Sequence, residues 1–458
     1  MRLSTAALDK LPATVTRFAY DRAAQKTGVV HFGIGAFHRA HQAWYTDLAM
    51  DAGDRDWAIA GVSLRSGDVA DQLNPQDGLY TVTEQSGQGA NLRVVGAVGG
   101  VGVAASNSGH VIALVAAPAT RIVTMTITEK GYCRRPDGSL DIDAARGASI
   151  YPLLAQGLAR RCAAGLPGLT LMSCDNLADN GRQLAQLTAA YCAQADPALA
   201  AWIAAECTFP SSMVDRIVPA TTGADRAAVE TVLGCRDEAA VMAEPFSQWV
   251  IEDRFAGPRP RWEVAGAEFV ADVAPYEIAK LRMLNGAHSA LAYLGLDRGH
   301  SYVHEAVGDP AIRPLVERLM RQEAATSFTP DPAQNLAAYA DALLARFANP
   351  ALQHRLIQIA MDGSQKIPQR WLATLAAHAR EGRQCPAILA ALASWMRHVR
   401  GDRRPVDDPR SADLKAAWEQ AGEAGIVDAL FGERGLLAGP WPPTPADGLL
   451  IATLITRA

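Results

Sequence analysis

An α/β amino-terminal domain with a doubly wound, mainly parallel sheet, followed by an all-α carboxyl-terminal domain, is the architecture this sequence predicts. Three observations carry it. A short apolar strand runs into a glycine turn and then a helix over residues 29–49. Further runs of the continuously apolar, buried-strand type follow at 57–64, 110–116, 122–128 and 169–173. From Pro275 onwards such runs stop, and Ala/Leu-rich segments of helical period replace them.

The first of these elements reads Val29-Val-His-Phe-Gly33-Ile-Gly35-Ala-Phe37-His38-Arg39-Ala-His41. Glycines at such a turn let the backbone approach a pyrophosphate, and the next helix offers it unpaired N–H groups and a positive dipole end. Gly33, Gly35, Phe37, His38 and Arg39 are therefore cofactor candidates. The G-x-G-x-x-G fingerprint is incomplete, since His38 stands at its third glycine, and a plain tight turn is the competing reading. Residues 57–64 read as the second strand of a Rossmann-type domain. Its end carries Arg65, Ser66 and Asp68 instead of an immediate acid. An arginine there suits the 2′-phosphate of NADP or stacks on adenine, and NAD is the favoured cofactor.

Residues 80–83 and 92–98 read as a hairpin. Glu129 follows the strand at 122–128, and Asn176 the one at 169–173, at the carboxyl ends where ligands of doubly wound sheets lie. Capping of the next helix is the alternative for both.

The boundary falls near residue 272, giving a dinucleotide-binding domain over 1–272 and a helical substrate and catalytic domain over 273–458. Asp309-Pro310, Asp331-Pro332, Asn349-Pro350 and Asp408-Pro409 read as helix starts with proline in the first turn. The first long helix carries Lys280-Leu-Arg-Met-Leu-Asn285-Gly-Ala-His288-Ser289. On a regular helix Asn285 and His288 sit about 140° and 80° round from Lys280, so all three can address one side. That side can hold one substrate oxygen. A half-buried helix with a snorkelling lysine and two satisfied polar groups explains the same residues. Lys280 lies just past the boundary, and clefts between domains are a preferred place for small-molecule sites.

Composition narrows the function classes. The chain has 458 residues, 49% hydrophobic and 20% charged, with a net charge of -5. Nucleic acid and acidic membrane surfaces both need a basic field, so neither is an expected partner. The first thirty residues lack an apolar h-region, no apolar run reaches the ~20 residues a bilayer requires, and a cytoplasmic location is expected. Cysteines 133, 162, 174, 192, 207, 235 and 385 are scattered and without C-x-x-C pairs, against a disulfide framework or a zinc ribbon. His38-x-x-His41 and His300-x3-His304 read as loop and helix-surface histidines, and no metal is expected. The pattern specifies no oligomeric state.

Seven passages together resemble the long-chain mannitol dehydrogenase family of polyol and sugar-acid dehydrogenases, over nearly the whole chain. They are Gly33-Ile-Gly-Ala-Phe-His-Arg-Ala-His-Gln42, Thr128-Glu-Lys-Gly-Tyr132, Ser173-Cys-Asp-Asn176, Met213-Val-Asp-Arg-Ile-Val-Pro219, Pro245-Phe-Ser-Gln-Trp-Val-Ile-Glu-Asp253, the Lys280 to Ser289 stretch, and Asp362-Gly-Ser-Gln-Lys366. The resemblance implies that Lys280 is the acid/base, that Asn285 and His288 bind the reacting oxygen, and that no zinc takes part. It also implies that Asn176, Asp215 and Lys366 line the sugar pocket. Asp215 beside Arg216 reads equally as an ion pair, and Lys366 as a helix-surface lysine.

The chemistry suits these residue types. Burial lowers a lysine from its usual pKa of ~10.4, so Lys280 can accept the alcohol proton, while Asn285 and His288 donate to the developing alkoxide. Glu277, one turn earlier, is a possible proton relay or a plain i,i+3 ion pair. Mannitol 2-dehydrogenases carry an arginine and a histidine where this chain has Gln358 and Met361. The wording of 128–133 and 361–366 resembles that of fructuronate reductases, and this resemblance implies a sugar-acid substrate. Lys366, Arg370 or Arg216 would supply the cation for its carboxylate, and a polyol such as mannitol is the second expectation. A catalytically inactive NAD-binding regulatory protein would have no need of the intact Lys280, Asn285 and His288.

Overall fold

The computed structural model describes residues 1–87 and 89–456. The chain forms two compact units, Met1–Val273 and Ala274–Ala458.

In the first unit β1 (Thr27–Phe32), β2 (Ala58–Ser63), β3 (Val98–Val103), β4 (Ile122–Met125) and β5 (Thr170–Ser173) build a wholly parallel sheet in the order β3-β2-β1-β4-β5. Side chains alternate across it. Val29 joins Ile59, Ile122 and Met172 in one core, under the helix Gln42–Asp51. Val30 and Phe32 join Val123, Met125 and Leu171 in the other, under Ser108–Ala116, Tyr151–Ala163 and Asn180–Ala195. Helices on both faces explain why the strands read as unbroken apolar runs. The strand order reverses between β1 and β4, and a doubly wound sheet opens a crevice at that point.

Two smaller sheets accompany this one. Tyr80–Ser86 and Gly89–Val95 pair antiparallel, as the hairpin expectation has it, and recruit Thr16–Arg17 and Val241–Ala243 at the edges. Ser212–Asp215, Gln248–Glu252 and Glu268–Val270 form the other.

Two readings of this unit are corrected, and one strand went unread. Residues 110–116, expected as a strand, belong to the helix Ser108–Ala116: Asn107 caps it by accepting from His110 N, and Val111, Ile112 and Val115 fall on its buried face. The strand Val98–Val103 carries no strand signal of its own, because three of its six residues are glycine; parallel pairing with β2 forms it. The helix after the glycine turn is also broken, running Ala36–Ala40 and resuming at Gln42 beyond a non-helical His41.

The second unit is helical around one large core that includes Met283, Leu291, Trp371, Trp395 and Trp418. Its proline signals mark turns more than helix starts. Asn349 does cap a short 3-10 turn from Pro350, but the helices after Asp309-Pro310, Asp331-Pro332 and Asp408-Pro409 begin at Arg313, Leu336 and Ser411. The first long helix is not uniform. It runs as α-helix over Ala274–Ala279, widens to π-helix over Lys280–Asn285, and returns to α-helix over Gly286–Asp297.

Candidate active site

The first unit offers a cavity of about 690 Å³ at the carboxyl ends of β1, β2 and β4. Gly33, Ile34 and Gly35 form one wall, Ser63, Arg65, Ser66 and Asp68 another, and Thr126 to Thr128 a third. Gly33 has φ +93°, and a Cβ there would stand 2.0 Å from the Thr126 carbonyl oxygen, so only glycine fits. Its own carbonyl accepts from Thr126 Oγ1 at 2.7 Å and faces His31 Nε2 at 3.2 Å. Burial holds His31 neutral, with its pKa pushed down to about 3. The wall of Thr126 to Thr128 is fixed by Asp175, whose carboxylate accepts from Ile127 N, Thr128 N and Tyr132 Oη.

Of the cofactor candidates, Gly33, Gly35 and Arg65 line this cavity. The others lie elsewhere among the described residues. His38 is buried and stacked on His31 with centroids 3.3 Å apart, so the reading of His38-x-x-His41 as surface histidines is corrected: His41 is buried too, and its Nε2 bonds the Gln248 carbonyl. Arg39 is buried, donates to the carbonyls of Ala239 and Gly35, and lies over the Tyr80 ring, a structural role. Phe37 packs against His41, and Glu129 is exposed on the helix Thr128–Gly131. Asn176 is exposed in the loop after β5, and Asp215 is buried at the end of Ser212–Asp215.

Arg216 does not serve a substrate carboxylate. Its side chain is 0% exposed, paired with Glu84 and bonded to the carbonyls of Glu244 and Ala40, which spend its donors inside the fold.

In the second unit the π turn changes the expected geometry. Gly286 N bonds the Leu281 carbonyl five residues back, so Asn285 lies one wide turn from Lys280 instead of 140° round. Lys280, Asn285, His288 and Glu277 are all half-buried. The His288 ring packs on Phe347 at 4.7 Å and His354 at 5.3 Å. Burial first, then His354, Arg346 and Arg370, hold its pKa well below the usual value, so the ring is neutral and carries one N–H donor. Arg370 donates to Asn285 O at 3.2 Å and Ser289 Oγ at 2.7 Å, and burial lowers it to about 10. Lys366 donates to Met361 O at 2.6 Å; burial, then Arg370, lower its pKa. Gln358 and Met361 are exposed. Sequence reasoning missed Arg346 and His354. Neither sits in a motif, and only the fold carries them to His288 from other segments.

Two family models match the chain, the mannitol dehydrogenase Rossmann domain over residues 27–264 and the mannitol dehydrogenase C-terminal domain over 272–436. The chain belongs to the mannitol dehydrogenase family. It is 42% identical to the uncharacterized oxidoreductase YeiQ of Escherichia coli, over 97% of this chain and 94% of that one. It is 40% identical to the D-mannonate oxidoreductase of the same organism, over 93% and 92%. A Pseudomonas fluorescens mannitol 2-dehydrogenase, solved as a ternary complex with NAD and D-mannitol, superposes with a TM-score of 0.82 at 33% identity, over 100% of this chain and 96% of that one. As a member of the mannitol dehydrogenase family the chain is an oxidoreductase, and the fold class and family expected from its motifs both hold. Among the described residues no three His, Cys, Asp or Glu side chains gather as a metal group, and no helix is long and apolar enough to cross a membrane.

Proposed function

We propose that this chain interconverts a keto sugar acid and its alcohol with NAD, D-fructuronate and D-mannonate being the pair that suits it best. The observation that carries the sugar-acid reading is the Arg370 guanidinium bonded to the Lys280–Ser289 stretch. A carboxylate substrate wants fixed cations, and Arg370 is held in place by Asn285 and Ser289. The 40% identity to a D-mannonate oxidoreductase supports the same choice.

The cavity at Gly33 fits a dinucleotide: the position excludes any Cβ, and Arg65, Ser66 and Asp68 stand where a ribose would lie. NAD, when bound, supplies the hydride acceptor. Lys280 takes the hydroxyl proton of the alcohol and returns it in the reverse direction. Asn285 and neutral His288 donate to the oxygen as charge develops on it, and Glu277 relays the proton onward. Asn176, Asp215, Lys366, Gln358 and Arg370 are the sugar-binding candidates.

A mannitol or other polyol substrate is the second reading, favoured by the likeness to the mannitol 2-dehydrogenase. Against it stands the expectation, drawn from the family resemblance, of an arginine and a histidine in those enzymes where this chain has Gln358 and Met361. Mixing the protein with NADH or NADPH and fructuronate, tagaturonate or fructose, and following the reduced nicotinamide, separates the two. Oxidation of NADH with fructuronate is expected; turnover of fructose alone would reverse the order.

A further inference from the structure

A π-helical turn is a rare geometry, usually a single turn inside an α-helix. Among the described residues the second unit has three, Lys280–Asn285, Leu319–Ala324 and Pro368–Leu372, and the first packs against each of the others. Side-chain donors from outside the turn reach carbonyls where the first two turns end. Asn285 O accepts from Arg370 Nη1 at 3.2 Å and Gly286 O from Trp371 Nε1 at 3.1 Å. Glu323 O accepts from His378 Nε2 at 2.6 Å and Ala324 O from Ser327 Oγ at 2.7 Å. Arg282, inside the first turn, donates to O and Oγ of Ser327, three residues beyond the second.

We infer that Trp371, together with Arg370, is a positioning residue that clamps the exit of the Lys280–Asn285 turn and so keeps the acid/base and the alkoxide donor on one substrate oxygen. A regular helix would swing Asn285 about 140° from Lys280. Trp371 is fully buried, with its ring edge-on to Tyr293, and its Nε1–H reaches the Gly286 backbone. Arg370 reaches the adjacent carbonyl from the same segment, which makes the clamp two-pronged. The inference rests on the assignment of Lys280 as acid/base.

Trp371→Phe keeps an aromatic ring and deletes the Nε1–H. Its kcat should fall on the order of 10- to 100-fold, with NADH affinity unchanged, because small misplacements of reacting groups are costly. In an Asn285→Ala background the same change should cost less than about twofold, since the group it positions is gone. Two results would overturn the clamp: a lowered melting temperature with kcat within about twofold of the parent, or losses that multiply in the double variant. If Trp371→Phe does not fold, Ser289→Ala removes the hydroxyl that anchors Arg370, and the same cycle with Asn285→Ala decides. Full activity of Lys280→Ala would sink the acid/base reading itself. An inactive Lys280→Ala beside an unimpaired Trp371→Phe sinks the clamp alone.

Discussion

On the proposed function Lys280, Asn285 and His288 have separate tasks, and substitutions should separate them. Lys280→Ala is expected to abolish turnover while NADH still binds, because the lysine moves a proton and does not hold the cofactor; fluorescence titration beside steady-state rates checks this. His288→Ala should lower kcat by about 10²–10³, the usual loss for one donor to a developing oxyanion. A wild-type kcat would remove the ring from that role. His398 offers a test of buried histidine in the same unit. Burial, with Arg404 adding to it, pushes its pKa down to about 4. The folded state thus refuses a proton that the unfolded chain accepts below about pH 6.5, so this contribution is complete above that pH and is lost as pH falls towards 4. Relative to the parent, His398→Gln should gain about 2 kcal/mol between pH 6.5 and 5. Urea midpoints of both proteins at the two pH values measure it, and a constant difference would contradict it.

Among the elements, the glycine turn is the most sharply specified. Gly33→Ala meets both a left-handed backbone and the Thr126 carbonyl at 2.0 Å. It should weaken NADH binding at least about tenfold and cost about 1–3 kcal/mol of stability, read by titration and urea unfolding. That turn was legible in the sequence because glycine spacing is a local property. So were β1, β2, β4 and β5, whose apolar runs record burial on two faces. Other elements were not local. The strand Val98–Val103 exists through its neighbour, and Ser108–Ala116 hid its 3.6 period in a run that is apolar almost throughout. The π turn at Lys280 left no mark either, since the donors that reach it, Arg370 and Trp371, stand about 85 residues away. Motif matching named Lys280, Asn285 and His288, but only coordinates supply the wide turn between them. Arg216 shows the opposite error: a cation in a motif reads as a ligand until its partner Glu84 is seen 132 residues off.

At the scale of the molecule, the first unit is closed by pairings between distant parts of the chain. Val241–Ala243 completes the hairpin sheet beside Tyr80–Ser86, and Leu3 N bonds Arg236 O at 2.8 Å. The order of synthesis therefore matters. The edge of Tyr80–Ser86 is made about 160 residues before the strand that covers it. At ribosomal speeds of about 5–20 residues per second it waits some 10–30 s with unpaired backbone groups, an opening for sheet-to-sheet aggregation. Yield in cells should thus respond to translation rate and to chaperones that shield nascent strands, more through residues 80–86 than through any residue of the active site.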